Sequence, residues 1–168
     1  MPLYTPDQRR RRDSSRWTKV QGVLAIVQFL VFLVSVSLVI HYLLTGSGLT
    51  AATASIVVKT LILYTIMVTG SLWEHDVFGQ YLFAPAFFWE DVVSFVVIAL
   101  HSAYLYCLLT GTLDAPEQMF IALAAYATYA VNATQFLIKL RRARLEPGVR
   151  PSMASHSSSG AFAASGAK

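Results

Sequence analysis

Four of the nine acidic side chains in this 168-residue sequence fall between residues 73 and 91, in "WEHDVFGQYLFAPAFFWED". Glu74 and Asp76 stand at one end of the stretch and Glu90 and Asp91 at the other. Beside them come His75 and the rings of Phe78, Tyr81, Phe83, Phe87, Phe88 and Trp89. Acids that open a helix are favoured by its dipole, which gives Glu90 and Asp91 a partial structural reason. Glu74 and Asp76 close a preceding apolar run, where the dipole disfavours them. Carboxyls among apolar walls hold their protons to higher pH, which suits general acid work near neutrality. Two carboxyls in unequal surroundings can divide the acid and base roles. Trp and Tyr also form interfacial belts in membranes, but the excess of Phe is unusual for a belt. An aromatic-walled pocket with a few carboxyls fits a large planar amphiphile entering from the interface.

Other chemistries lack their parts. There is no Gly-rich phosphate loop, no nucleophile elbow and no HExxH or Cys/His metal spacing. Cys107 is the only cysteine, so no intramolecular disulfide forms. Cofactor-free proton transfer remains, as hydration, isomerisation or proton conduction.

The elements that must position these groups are membrane spans. The chain is 55% hydrophobic. Four runs, 20–44, 50–73, 87–111 and 117–140, each supply the roughly 20 apolar residues that a spanning helix needs. "TGSG" and "TGTLDAP" are tight turns joining the first run to the second and the third to the fourth. The first run is longer than the core of a signal peptide and three more follow it, so it is expected to be a retained anchor. Of the 13 Lys and Arg residues, all but Lys59 lie before residue 20 or from Lys139 onward. Basic ends on an apolar body are a topology signal and not a nucleic-acid footprint. The expected fold is all-α: an integral membrane four-helix bundle with both termini cytoplasmic. Residues 1–19 form a basic cytoplasmic segment, 20–145 the transmembrane domain, and the Ser-, Gly- and Ala-rich tail 146–168 a disordered end. The acidic aromatic stretch then lies at the cytoplasmic mouth.

Polar residues within spans face neighbouring helices more often than lipid, so their spacing locates the interior. Gln21, Gln28, Ser35 and Tyr42 form one face of the first span. Ser55, Lys59 and Gly70 lie on the second, with Glu74 just past its end. Glu90, Ser94, His101 and Tyr104 share one sector of the third, and Thr128, Asn132, Gln135 and Lys139 line the fourth. Most such groups are interhelical ties worth about 0.6 kcal/mol each. Lys59 and His101 differ, because an ionisable group near mid-bilayer costs at least about 2.5 kcal/mol.

The blocks "ASIVVKTLILYTIMVTGSLWE", "VFGQYLFAPAFFWEDVVSF" and "AAYATYAVNATQFLIKLRRARL" resemble the 2-vinyl bacteriochlorophyllide hydratase family. The likeness covers roughly residues 3–145, including the "LYTP" start and the "RRDSSRWTKVQG" lead-in. The resemblance implies a hydro-lyase of bacteriochlorophyll synthesis in the bacterial inner or intracytoplasmic photosynthetic membrane. It would add water to the C3-vinyl group of chlorophyllide a or the bacteriochlorophyllide analogue. The 3-(1-hydroxyethyl) product would pass to the next pathway dehydrogenase. The pigment brings its own magnesium, and no cofactor or catalytic metal is expected.

The residue roles are inferred from chemistry and not from the family. Glu90 or Asp91 is the expected proton donor, and Glu74 or Asp76 orients or deprotonates the water. Phe83, Phe87, Phe88 and Trp89 line the macrocycle, and Asn132 joins the substrate-binding set. His101 is a candidate axial ligand to the pigment magnesium and Lys59 a candidate partner for a propionate. The competing readings are a non-enzymatic tetrapyrrole-binding or assembly protein and a small proton-linked carrier.

Overall fold

The computed structural model describes residues 3–145, and the tail expected to be disordered lies outside the described residues. Five helices follow one another: α1 Pro6–Ser14, α2 Arg16–Thr45, α3 Leu49–Phe78, α4 Phe88–Thr110 and α5 Ala115–Leu145. Four of them, α2 to α5, are long and apolar enough to cross a membrane. The 30-residue α2 and α3 each reach roughly 45 Å, against a hydrocarbon core of about 30 Å, so their ends extend past it.

The expected spans are present with shifted ends. α2 begins at Arg16, four residues ahead of the apolar run, because Ser15 caps it by accepting from the Trp17 N–H. The basic lead-in carries its own helix, α1, started by a Thr5–Gln8 capping box with Pro6 in its first turn. Most consequentially, α3 runs on to Phe78, so Glu74 and Asp76 belong to its closing turns.

Glycines in the left-handed region stop three of these helices: Gly46 (φ 69°), Gly79 (φ 82°) and Gly111 (φ 64°). Gly79 also launches the loop that crosses the acidic site. Gly79→Ala is expected to destabilise the protein by about 1–2 kcal/mol, the cost of a Cβ in that conformation. Chemical unfolding in detergent measures it, and an unchanged midpoint would contradict the assignment.

The closest pairings are the antiparallel hairpins α2–α3 and α4–α5, which meet through α2–α5 and α3–α4. Large apolar side chains such as Val23, Ile26, Leu61, Val68, Leu109 and Phe120 face outward. The interior holds Gln28, Ser35, Lys59, Thr60, Glu74, Glu90, Asp91, Ser94, His101 and Asn132. Apolar outside and polar within is the arrangement a lipid solvent favours. The polar stripe on α4 is fully internal, with Glu90, Ser94, His101 and Tyr104 all buried.

α1 packs against the end of α3. The Tyr4 ring stacks on Phe78 at 5.9 Å and lies 6.4 Å from Phe87, in a cluster that also holds Val77 and Ala143. The Trp73 indole N–H donates to Thr18 Oγ1 (3.0 Å), whose hydroxyl donates to the Arg12 carbonyl (2.6 Å). The N-terminal segment is therefore tied to the end of the bundle that carries the acids.

Candidate active site

At that end the loop 79–87 folds back over α3 and α4. Phe83 takes a left-handed conformation (φ 58°), uncommon for a bulky residue and typical of sites under local constraint. The turn points two successive backbone N–H groups inward. That of Phe83 donates to Asp91 Oδ2 (2.7 Å), and that of Ala84 to Glu74 Oε2 (3.1 Å). The Glu74 and Asp91 carboxyls lie beside each other behind these two donors. Two neighbouring carboxyls in a buried site do not both ionise readily, so such a pair can hold a proton between them. The pair can thus act as a fixed, shielded proton donor.

Glu90 sits alongside with a different partner. Its Oε2 accepts from Lys139 Nζ at 2.5 Å, and Lys139 also donates to the Ala86 carbonyl. The ammonium lies 4.9 Å from the Phe87 ring. Below Glu90, the Ser94 hydroxyl donates to the Glu90 carbonyl and accepts from the Asn132 side-chain amide, both at 2.8 Å. Three buried carboxyls and one partly buried cation therefore form one cluster, on side chains from α3, α4 and α5.

Helix geometry decides which expected residues meet there. Glu74 and Asp76 are two positions apart, about 200° around a helix, so only one can face inward. Glu74 does, while Asp76 and His75 are exposed, His75 stacking on Tyr81 at 4.2 Å. Glu90 and Asp91 are adjacent on α4 and both are buried. The basic end of the chain supplies Lys139 to the Glu90 carboxylate, a role that sequence reasoning missed. Its spacing from Asn132, seven residues along the same helical face, was the available signal.

The aromatic residues divide in the same way. Phe83, Phe88, Trp89 and Phe95 are all exposed and form one outward face. Phe83 stacks on Phe95 at 5.4 Å and lies 5.7 Å from Phe88, which meets Trp89 edge-on at 5.5 Å. Phe87 faces the other way. It is 1% exposed, packed among Tyr4, Trp73, Phe78 and Phe136, and serves the core instead of that wall.

Lys59 and His101 are wholly enclosed deeper in the bundle and Asn132 is 8% exposed. An apolar groove lined by Leu30, Val31, Val34, Ala54, Ser55 and Val58 lies between α2 and α3 and holds none of the acids.

The arrangement can deliver a proton from the Glu74–Asp91 pair to a group presented from the aromatic face. Glu90, ion-paired with Lys139, is a second carboxyl that could take a proton back.

A family model described as 2-vinyl bacteriochlorophyllide hydratase (BCHF) matches residues 4–142. The 2-vinyl bacteriochlorophyllide hydratase of Cereibacter sphaeroides is 68% identical over 146 residues, covering 86% of this chain and 89% of the relative. The protein of the same name from Rhodobacter capsulatus is 67% identical over 144 residues, covering 86% and 84%. No solved structure matches the chain.

Proposed function

The chain belongs to the 2-vinyl bacteriochlorophyllide hydratase family, and from that premise we propose that the buried carboxyls beneath the 79–87 loop carry out the hydration. The protein is a hydratase of bacteriochlorophyll biosynthesis that acts on 2-vinyl bacteriochlorophyllide. One observation carries the site assignment. Phe83 contributes its ring to the exposed aromatic face and its backbone N–H to the Asp91 carboxyl, joining a surface for a flat macrocycle to a proton donor.

The pigment lies against Phe83, Phe88 and Trp89 with its vinyl group directed under the loop. The Glu74–Asp91 pair passes its shared proton to the terminal vinyl carbon, which becomes a methyl group. Positive charge then rests on the carbon joined to the macrocycle, where conjugation spreads it. Water adds at that carbon. Glu90, ion-paired with Lys139, orients this water and takes its surplus proton, which returns to the neighbouring Asp91. Atoms balance with no redox partner: one water enters and one alcohol leaves. Fixed hydrogen bonds and charges of this kind act by standing in place before charge develops.

His101 and Lys59 take no pigment contact in this proposal. Both are 0% exposed, and a magnesium or propionate contact would put the macrocycle inside the bundle. Basic residues at both ends of the described chain support a cytoplasmic location for both termini, and so for the loop. The membrane is the bacterial inner or intracytoplasmic photosynthetic membrane. The substrate is chlorophyllide a or its bacteriochlorin analogue, hydrated at the C3 vinyl. Product leaves across the aromatic face to the dehydrogenase that oxidises the new alcohol.

The aromatic wall is testable separately from the acids. Phe83→Ala keeps the backbone N–H that serves Asp91 but removes the ring. It is expected to raise KM for the vinyl pigment roughly tenfold, an aromatic stack being worth about 0.5–1.5 kcal/mol beyond its area, with kcat little changed. Steady-state hydration in lipid nanodiscs, read by product mass, measures both constants. An unchanged KM would remove Phe83 from the wall.

A further inference from the structure

Midway along the bundle lies a second polar group that the acid chemistry does not use. Lys59 and His101 are 0% exposed and Gln28 is 1% exposed. Among the described residues, Lys59 Nζ, His101 Nε2 and both amide atoms of Gln28 have no hydrogen-bond partner. A buried polar atom without a partner is costly, and natural proteins retain few.

Lys59 and His101 share the Tyr126 ring as a neighbour. Lys59 Nζ sits 3.6 Å from the Tyr129 ring centre and 5.7 Å from those of Phe32 and Tyr126. The His101 ring lies 5.8 Å from the same Tyr126 ring. On α2, Gln21 is tied to Thr69 and Ser35 to Ser55, so Gln28 falls midway, opposite the part of α3 that carries Lys59 to Leu63. It also stands one turn before Phe32.

We propose that Lys59, His101 and Gln28 enclose a bound-water site in the middle of the bundle, and that this site supplies the water consumed at the carboxyl cluster. The supply half rests on the reading of the carboxyls given above.

The donor and acceptor inventory selects the occupant. His101 Nδ1 lies 2.8 Å from the Val97 carbonyl, which can only accept, so Nδ1 carries the hydrogen and Nε2 presents a lone pair. Lys59 offers N–H donors, and Gln28 offers both kinds of group. A halide or carboxylate would satisfy Lys59 and leave Nε2 without a donor. Water donates to Nε2 while accepting from Lys59, and a buried water typically makes about three hydrogen bonds.

The route toward the acids runs along α4. From Glu90, Ser94 and its partner Asn132 lead inward, and Asn132 Oδ1 and Gln135 Oε1 are likewise buried without partners among the described residues. Leu63 and Val97 form an apolar layer between these groups and the site. Apolar constrictions of that kind pass water intermittently. Supply from within also answers a steric need. With the macrocycle against Phe83, Phe88 and Trp89, an apolar plate covers the outer approach to the loop.

The test is X-ray radiolytic hydroxyl labelling of the full chain in nanodiscs, which marks side chains beside bound water even where bulk solvent is excluded. Tyr126 and Tyr129 are expected to label in the wild type and to lose labelling by about fivefold or more in Lys59→Met and in Gln28→Leu. Gln28→Leu removes no ionisable group and stands in if Lys59→Met fails to fold. Wild-type Tyr126 and Tyr129 as unmarked as Ile56 and Val97, or labelling that persists in the folded variants, overturns the water site. The same variants are expected to show kcat lowered about tenfold with the pigment KM unchanged. A variant that loses the labelling and keeps wild-type kcat overturns the supply. Labelling does not depend on the acids, so a fully active Glu74→Gln variant would count against the carboxyl chemistry and leave the water site standing.

Discussion

Asp91→Asn is expected to lower the hydration rate by about 10²–10⁴, the usual share of a general acid, with KM for the pigment changed only a few-fold. The carbonyl oxygen of the introduced amide can still accept the Phe83 N–H, so the loop keeps its anchor and the aromatic face its shape. The exchangeable proton between two carboxyls is what disappears. An amide N–H does not protonate a carbon at any useful rate, so the step stops at its start. Glu74→Gln is expected to behave the same way, since its amide oxygen can accept the Ala84 N–H. Purified variants in nanodiscs, given vinyl pigment and assayed for the product one water heavier, give the rates. Either variant at wild-type kcat would contradict the assignment.

The second large effect concerns stability. Lys139→Met leaves the Glu90 carboxylate, 9% exposed, with no cation beside it. Removing one partner of a buried ion pair costs about 3–5 kcal/mol because the other charge stays behind uncompensated. Lys139 is itself 24% exposed, so the lower end of that range is expected. The double variant Glu90→Gln/Lys139→Met removes the stranded charge and is expected to recover most of the loss. Unfolding midpoints of the two variants in detergent check this. A single-variant cost below about 0.5 kcal/mol, the size of a solvent-exposed pair, would show that the contact carries little.

Much of this architecture is legible from hydropathy and period. Four apolar runs became α2 to α5, and the α4 stripe of Glu90, Ser94, His101 and Tyr104 is internal because those positions share one face at 3.6 residues per turn. What the pattern leaves open is the choice between Glu74 and Asp76 at the end of the second span. The apolar run stops at Trp73, but the helix continues to Phe78, since backbone hydrogen bonding does not require apolar side chains. Inside a helix the two acids point opposite ways. Composition groups Phe87 with Phe88 and Trp89, yet as the N-cap of α4 it turns into the core. Lys139 hides in the pattern because charge at a span end has a sufficient topological reason. Its second role depends on where α4 lies against α5, and a linear pattern does not carry that information. The cradle of Phe83 and Ala84 N–H groups is beyond reach for a similar reason, because it depends on one residue's left-handed backbone.

The central claim is that Glu74 and Asp91 act as one proton-holding unit. The hydration rate of the double variant Glu74→Gln/Asp91→Asn, set beside both single variants, tests it most directly. Groups that act as a unit give non-additive losses, so the double variant is expected to be no slower than the worse single by more than about threefold. Losses that multiply, with each substitution contributing its full factor in the presence of the other, would contradict the account and make the two carboxyls independent contributors.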